Sequence, residues 1–354
     1  AAASCAASDP AAGPGSPGAS KPARSPGAAV SDRTPESVDR DEAVATRSQR
    51  ELTTVPMVLA ISVDGLTPDA LDALGTAGVP TFWRLAADGA STFDARAAVE
   101  KTTTMPNHTG MLTGRRVSAA RGGHGFTAND DTGEEVVDPD GTPVPSVFDT
   151  VADAGLSTAL FANKDKFAVF DRSWPSIDRY LYRESMAALV AAAARDLVRN
   201  RRAFTFLHLA APDQAGHANG WMTPSYLAAV RATDRLLGSL IATIDSDRYL
   251  RRHLVLILTA DHGGEGLNHV DRTRPGDYTV PFLVRGPGVP AAADLYDVDA
   301  TRKDPGNERP GYGRRQPVRN ADVANLATSL LGLGTVPTSQ IGVDPPLTVQ
   351  APPG

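Results

Sequence analysis

Apolar residues along the chain follow two alternating spacings. Continuous runs at Val55 to Val63, Leu156 to Phe161, Phe204 to Leu209, Leu254 to Leu258 and Thr279 to Val284 are rich in β-branched and aromatic side chains. Runs of this length with no polar face predict strands covered on both sides. Between them the apolar positions recur every three or four residues. Pro145 to Ala154 carries Val147, Phe148 and Val151; Ser185 to Arg202 is Ala-rich with Leu189, Val190, Leu197 and Val198; Thr223 to Ile244 puts Tyr226, Val230, Leu237, Leu240, Ile241 and Ile244 on one stripe. That is helical spacing. Pro68 and Pro80 suit the first turns of two more helices, the second running to Ala87. Asn320 or Asp322 opens a last helix through Leu331, stopped by Gly332 and Gly334. The alternation predicts an α/β fold, a three-layer α/β/α sandwich around a mostly parallel sheet.

Composition divides the chain unevenly. Residues 1–50 are mostly Ala, Ser, Gly, Pro and charge, with almost nothing large and apolar to bury, and read as a tether. Residues 51–345 form one catalytic domain and 346–354 a short tail. Residues 119–145 and 290–319 are irregular; the second, rich in Asp, Arg, Gly and Pro, either borders a substrate cleft or is a solvated excursion. The single cysteine, Cys5, follows small residues and precedes the Ser/Gly/Pro stretch, so no intrachain disulfide can form. That setting resembles the processed edge of a bacterial lipoprotein, which predicts an exported, extracytoplasmic protein with a lipid anchor on Cys5; an incidental cysteine is the alternative. A net charge of −6 argues against a stable nucleic-acid complex.

The chemistry lies at the ends of the apolar runs. Asp64 follows the first, Asp213 and His217 follow Phe204 to Leu209, and Asp261 and His262 follow Leu254 to Leu258. Open α/β sheets bind ligands beyond the carboxyl ends of their strands, so three such tails bearing carboxylates and imidazoles predict a metal site, completed by His269. Thr104-Met105-Pro106-Asn107 adds a hydroxyl, a proline suited to a first helical turn and an amide. A helix starting there would aim free N–H groups at a phosphoryl oxygen, with Asn107 as a further neutral donor. Metal coordination would lower the pKa of the Thr104 hydroxyl and make it a nucleophile. The plain alternative for this segment is a helix cap with Thr104 at the N-cap. His208 reads as a satisfied core residue and His253 as a surface residue, while His108 and His124 support the site without being ligands.

Together these residues resemble the alkaline phosphatase superfamily and, within it, the type I phosphodiesterase/nucleotide pyrophosphatase group. The resemblance runs from about Val55 to Gly334. It rests on Val63-Asp64-Gly65, Thr104 to Asn107, Thr113-Gly114, His124-Gly125 with Asn129, Pro212-Asp213 with Gly216-His217, and Asp261-His262-Gly263. It implies one metal on Asp64, Thr104, Asp261 and His262 and another on Asp213, His217 and a third histidine, with zinc the favoured ion. His269 is the candidate for the third, since bacterial relatives carry that ligand at this place and no histidine follows it here. The implied reaction is hydrolysis of a small phosphodiester or pyrophosphate, such as a nucleotide, through a phosphothreonine. Phosphomonoester or phosphonate cleavage, or a binding protein that has lost catalysis, are the alternatives. A neutral Asn107 and the lack of an arginine beside Thr104 favour diesters over monoesters. Lys101, three residues before Thr104, and Glu265 in the Asp-His-Gly loop depart from the family pattern.

Overall fold

The structure, a computed structural model, describes residues 56–350. Cys5 and the expected tether lie outside them. Eight strands form one sheet: β1 (Met57–Val63), β2 (Ala90–Arg96), β3 (Thr158–Ala162), β4 (Tyr180–Tyr182), β5 (Phe204–Leu209), β6 (Leu254–Thr259), β7 (Thr279–Arg285) and β8 (Ala293–Asp294). Their spatial order is β4-β3-β5-β1-β6-β7-β2-β8. β4, β3, β5, β1 and β6 are parallel, and β7 is antiparallel to both its neighbours, β6 and β2. Every residue of β1, β5 and β6 is buried, as expected for strands covered on both faces.

The feature that builds the site is the position of β1 between β5 and β6. Val63 pairs with Leu209 on one side and Ser62 with Thr259 on the other, so three strands end at one level. Asp64, Asp213 and Asp261 leave from those three ends. Neither propensity nor periodicity specifies which strands are neighbours, so this convergence is a property of the tertiary fold.

Helices fall near their expected positions: Pro68–Gly78, Pro80–Ala87, Thr104–Thr113, Val147–Asp153, Met186–Asn200, Pro224–Ser246 and Asp322–Leu330. Ser146 caps Val147–Asp153 with a reciprocal capping box through Asp149, which explains its sharp start. The last helix starts differently from expectation. Neither Asn320 nor Asp322 is its N-cap, a position held by Ala321 without a side-chain bond. Asn320 instead turns inward, and its amide donates to the carbonyl of Asp261 at 2.9 Å. Packing also continues past residue 345: Leu347 and Val349 are buried with the core, and the Thr348 N–H donates to Asp299. Among the described residues no helix is long and apolar enough to cross a membrane.

Candidate active site and metal cradle

Thr104 is the first residue of its helix, and Thr103 occupies the N-cap position without a side-chain bond. The capping alternative for Thr104 therefore does not hold. Its Oγ1 lies 3.4 Å from His262 Nε2, and the residue is buried. A hydroxyl at the head of a helix lies at the positive end of its dipole, an environment that favours a bound anion.

Three carboxylates surround His262. Each has one oxygen tied to protein and one buried oxygen without a hydrogen-bond partner. Asp64 Oδ2 accepts from His208 Nε2 at 2.8 Å and pairs with Lys164 Nζ at 2.7 Å, leaving Oδ1. Asp213 Oδ2 accepts from Lys164 Nζ at 2.6 Å, leaving Oδ1. Asp261 Oδ1 accepts from the Gly65 N–H at 3.1 Å, leaving Oδ2. The three remaining oxygens lie 3.6, 4.0 and 3.1 Å from His262 Nε2 respectively. Buried polar atoms are rarely left unpaired, and carboxylate oxygens gathered about an imidazole nitrogen form a cradle for a divalent cation.

Two ligand groups emerge. Asp64, Asp261 and His262 form an inner one, and Asp213, His262 and His269 an outer one. His217 joins the outer group, with Nε2 3.0 Å from His269 Nε2 and 3.4 Å from Asp213 Oδ1. Its spacing from Asp213 is explained by the helix Ala211–Asn219, in which residues four apart share a face. All seven expected ligands thus meet in one place. The His262 and His269 rings stack with centroids 3.6 Å apart.

The electrostatics suit cation binding. Burial pushes His262 down to about 4 and, helped by neighbouring His262, His269 down to about 3, so both imidazoles are neutral at pH 7 with a lone pair to donate. Burial raises Asp261 well above the carboxylate range, and the negative charge of Asp64 adds to the rise. For Asp64 the upward effect of burial is outweighed by the Lys164 ammonium and His208, so its carboxyl stays well below the usual range. Two divalent ions would relieve the excess negative charge.

Several participants were not evident from sequence. Lys164 introduces a cation between Asp64 and Asp213, and Lys166 Nζ donates to the Asn129 carbonyl at 2.8 Å. A cation distant in sequence thus stands among the carboxylates, although no arginine lies beside Thr104 in the chain. Asn107 is also reassigned. Its Oδ1 accepts from the Ala98 N–H at 2.8 Å and its Nδ2 donates to the Lys101 and Thr103 carbonyls at 2.8 and 3.0 Å, so both amide hydrogens are spent on the backbone. It shapes the loop before Thr104 and has no donor left for a substrate. Asn129 is better placed: its Oδ1 accepts from the Met105 N–H at 3.1 Å, which sets its amide beside the head of the helix Thr104–Thr113.

Trp221 explains two glycines. Its ring fills the space where a Cβ on Gly216 or Gly264 would stand, at 2.6 and 2.1 Å, and its Nε1 donates to the Gly65 carbonyl at 2.9 Å. It also packs against the rings of His217 and His269. Gly65 is needed for a different reason. It has φ +69°, and a Cβ there would meet Asp213 Cα at 2.9 Å.

With this geometry in view, the comparisons with known proteins are informative. Residues 172 and 163 in length, the segments matching GPI ethanolamine phosphate transferase 1 of Neurospora crassa and of Chaetomium globosum are 29% and 30% identical. Each covers 42% of this chain but only 16% of the relative. Murine ectonucleotide pyrophosphatase/phosphodiesterase 5, solved as an inactive variant in complex with AMP, superposes with TM-score 0.57 and 17% identity, covering 80% of this chain and 96% of the other. The human protein of the same name gives TM-score 0.58 and 17% identity, covering 79% and 96%. At those identities the likeness establishes the alkaline phosphatase-like fold. The family model for type I phosphodiesterase/nucleotide pyrophosphatase matches residues 58–281, from β1 into the start of β7. This chain therefore belongs to the type I phosphodiesterase/nucleotide pyrophosphatase family.

Proposed function

We propose that the protein hydrolyses phosphodiester or pyrophosphate bonds of a small substrate through a covalent phosphothreonine at Thr104. The observation that carries this reading is the meeting of three partnerless carboxylate oxygens around His262, with the Thr104 hydroxyl 3.4 Å from the same imidazole. Asp64, Thr104, Asp261 and His262 would hold one divalent ion, and Asp213, His217 and His269 the other. Two such ions, zinc being favoured by the mixed oxygen and nitrogen ligands, would supply the Lewis acidity that activates a hydroxyl and stabilises a leaving oxygen.

The chain's own groups do the rest. Thr104 Oγ1 attacks phosphorus in line, its ester forms as the bond to the leaving oxygen breaks, and water then cleaves the ester. The Thr104 N–H and the Asn129 amide would face the equatorial oxygens, the role first assigned to Asn107; the Met105 N–H is taken by Asn129 and Pro106 has none. Lys164 holds the outer oxygens of Asp64 and Asp213 and adds positive charge beside the reacting group. That charge suits a substrate with a second anionic group, such as the pyrophosphate link of a nucleotide. Placement outside the cytoplasm, with lipid on Cys5, remains a proposal from the sequence.

The test compares kcat/KM for bis-p-nitrophenyl phosphate, p-nitrophenyl phosphate and a nucleoside 5′-p-nitrophenyl phosphate, before and after chelation. The nucleoside diester should be the best substrate, chelation should stop turnover and two equivalents of zinc should restore it. A strong preference for the monoester would point to a phosphatase. Similarity to phosphoethanolamine transferases favours one second reading, in which an alcohol takes the place of water. Product analysis with an added alcohol acceptor separates transfer from hydrolysis.

A further inference from the structure

His208 is a core histidine whose bonding exceeds what a core position needs. It lies on β5 directly opposite Ser62 of β1 and is wholly inaccessible. Phe167 packs on its ring with centroids 4.2 Å apart, and His108 meets its edge at 5.1 Å. The Asn163 N–H donates to Nδ1 at 3.3 Å, so that nitrogen carries no proton. Nε2 therefore carries it and donates to Asp64 Oδ2 at 2.8 Å.

We infer that His208 is a positioning residue that turns the Asp64 carboxylate so that Oδ1, the oxygen without a partner, faces the inner ligand group. The inference rests on the two-ion reading above. Lys164 also holds Oδ2, but it reaches there on a long flexible side chain that is partly exposed. The imidazole is clamped between a backbone N–H and two aromatic rings, so it is the rigid member of the pair. Without it the carboxylate is free to rotate and share both oxygens with Lys164. With Nδ1 occupied by the Asn163 N–H and the proton on Nε2, the ring acts as a donor and leaves the negative charge of Asp64 available to a cation.

The test uses the full chain and two variants. His208→Phe keeps an aromatic ring and removes the donor, while His208→Gln keeps an amide N–H at a similar reach. Zinc affinity is read by competition with a chromophoric chelator. His208→Phe should weaken one of two zinc sites roughly tenfold to a hundredfold and leave the other within about threefold, and His208→Gln should recover most of the loss. Equal weakening of both sites, no weakening, or a Gln variant no better than the Phe variant overturns the inference. A wild-type chain that binds no zinc overturns the two-ion reading itself, and the inference with it. Independently of any variant, ¹⁵N NMR of wild-type imidazoles should find His208 protonated on Nε2; a proton on Nδ1 overturns the inference even where zinc binds.

Discussion

The two ligand groups are built to different standards. Asp64, Asp261 and His262 are wholly inaccessible and sit at the ends of β1 and β6, held by strand pairing, by the Gly65 N–H and by His208. Asp213, His217 and His269 come from a helix and a loop, and the His217 side chain is 46% exposed. The outer group is steadied by Lys164 on Asp213, by packing of both histidines on Trp221 and by a short bond between His269 Nδ1 and the Thr102 carbonyl. An inner ion would bind where its ligands are already oriented. The outer one would sit nearer solvent, with buried Asp213 and His269 joined by the half-exposed His217.

The comparison is sharpened most by the proposed nucleophile. Thr104→Ala removes a hydroxyl from the inner group without removing a carboxylate or imidazole, so kcat should fall at least about a thousandfold with the remaining ligands able to bind metal. Thr103→Ala, one residue away, should stay close to wild type. Steady-state kinetics with metal analysis decides; a dead Thr103 variant beside an active Thr104 variant would shift the nucleophile by one position.

The next effect concerns metal loss. A graded chelator titration should release the outer ion first. His269→Ala should weaken that ion by more than the roughly hundredfold upper figure for supporting groups and leave the inner ion in place. Simultaneous loss of both ions would show that the groups are one coupled site, with His262 as the shared ligand.

Gly65 joins the two groups, since its N–H holds Asp261 while its own backbone lies against Asp213. Gly65→Ala meets both a positive φ and a 2.9 Å contact with Asp213 Cα, and should destabilise the fold by about 2 kcal/mol. Urea unfolding measures this directly. A neutral outcome would mean that the strand end yields more readily than the inner group's burial implies.

The last effect is in acid and is spread over several pH units. His124 belongs to neither group, packs near Gly110 of the nucleophile helix, and is pushed down to about 3 by burial and then by Arg115. Its folded pKa lies below the unfolded value, so the stabilisation is complete above about pH 6.5 and is lost as pH falls toward 3, as the unfolded chain binds the extra proton. One such group contributes a slope of up to about 1.4 kcal/mol per pH unit within that window. In the chelated protein His262 and His269 contribute with the same sign. Unfolding free energies at pH 6 and 4.5 should show a shallower slope for His124→Gln than for wild type; an unchanged slope would reject a buried neutral His124.

Much of the molecule was legible before any coordinates, and for local reasons. Hydrophobic runs marked β1, β3, β5, β6 and β7, because a strand buried on both faces must be apolar throughout. Helical spacing marked Met186–Asn200 and Pro224–Ser246, because one stripe must meet the sheet. The candidate ligands could be read because metal chemistry restricts them to a few residue types, placed just after strands. Strands β2, β4 and β8 were missed. β2 mixes buried and half-exposed positions, and β4 and β8 are only three and two residues long, so no run or alternation announces them.

What only the tertiary structure decided is how side chains are used. Sequence could name Asn107, but not that its amide would be consumed by the loop from Ala98 to Thr103 while Asn129 stood beside the helix head. It offered no reason to connect Lys164 with Asp64 and Asp213, or His208 with Asp64, residues 100, 49 and 144 positions apart. Residue type and spacing are written locally and determine which elements form and which groups can bind a metal. Neighbouring strands, rotamers and the pairing of each polar atom depend on long-range packing, and those determine which oxygen of each carboxylate is left free.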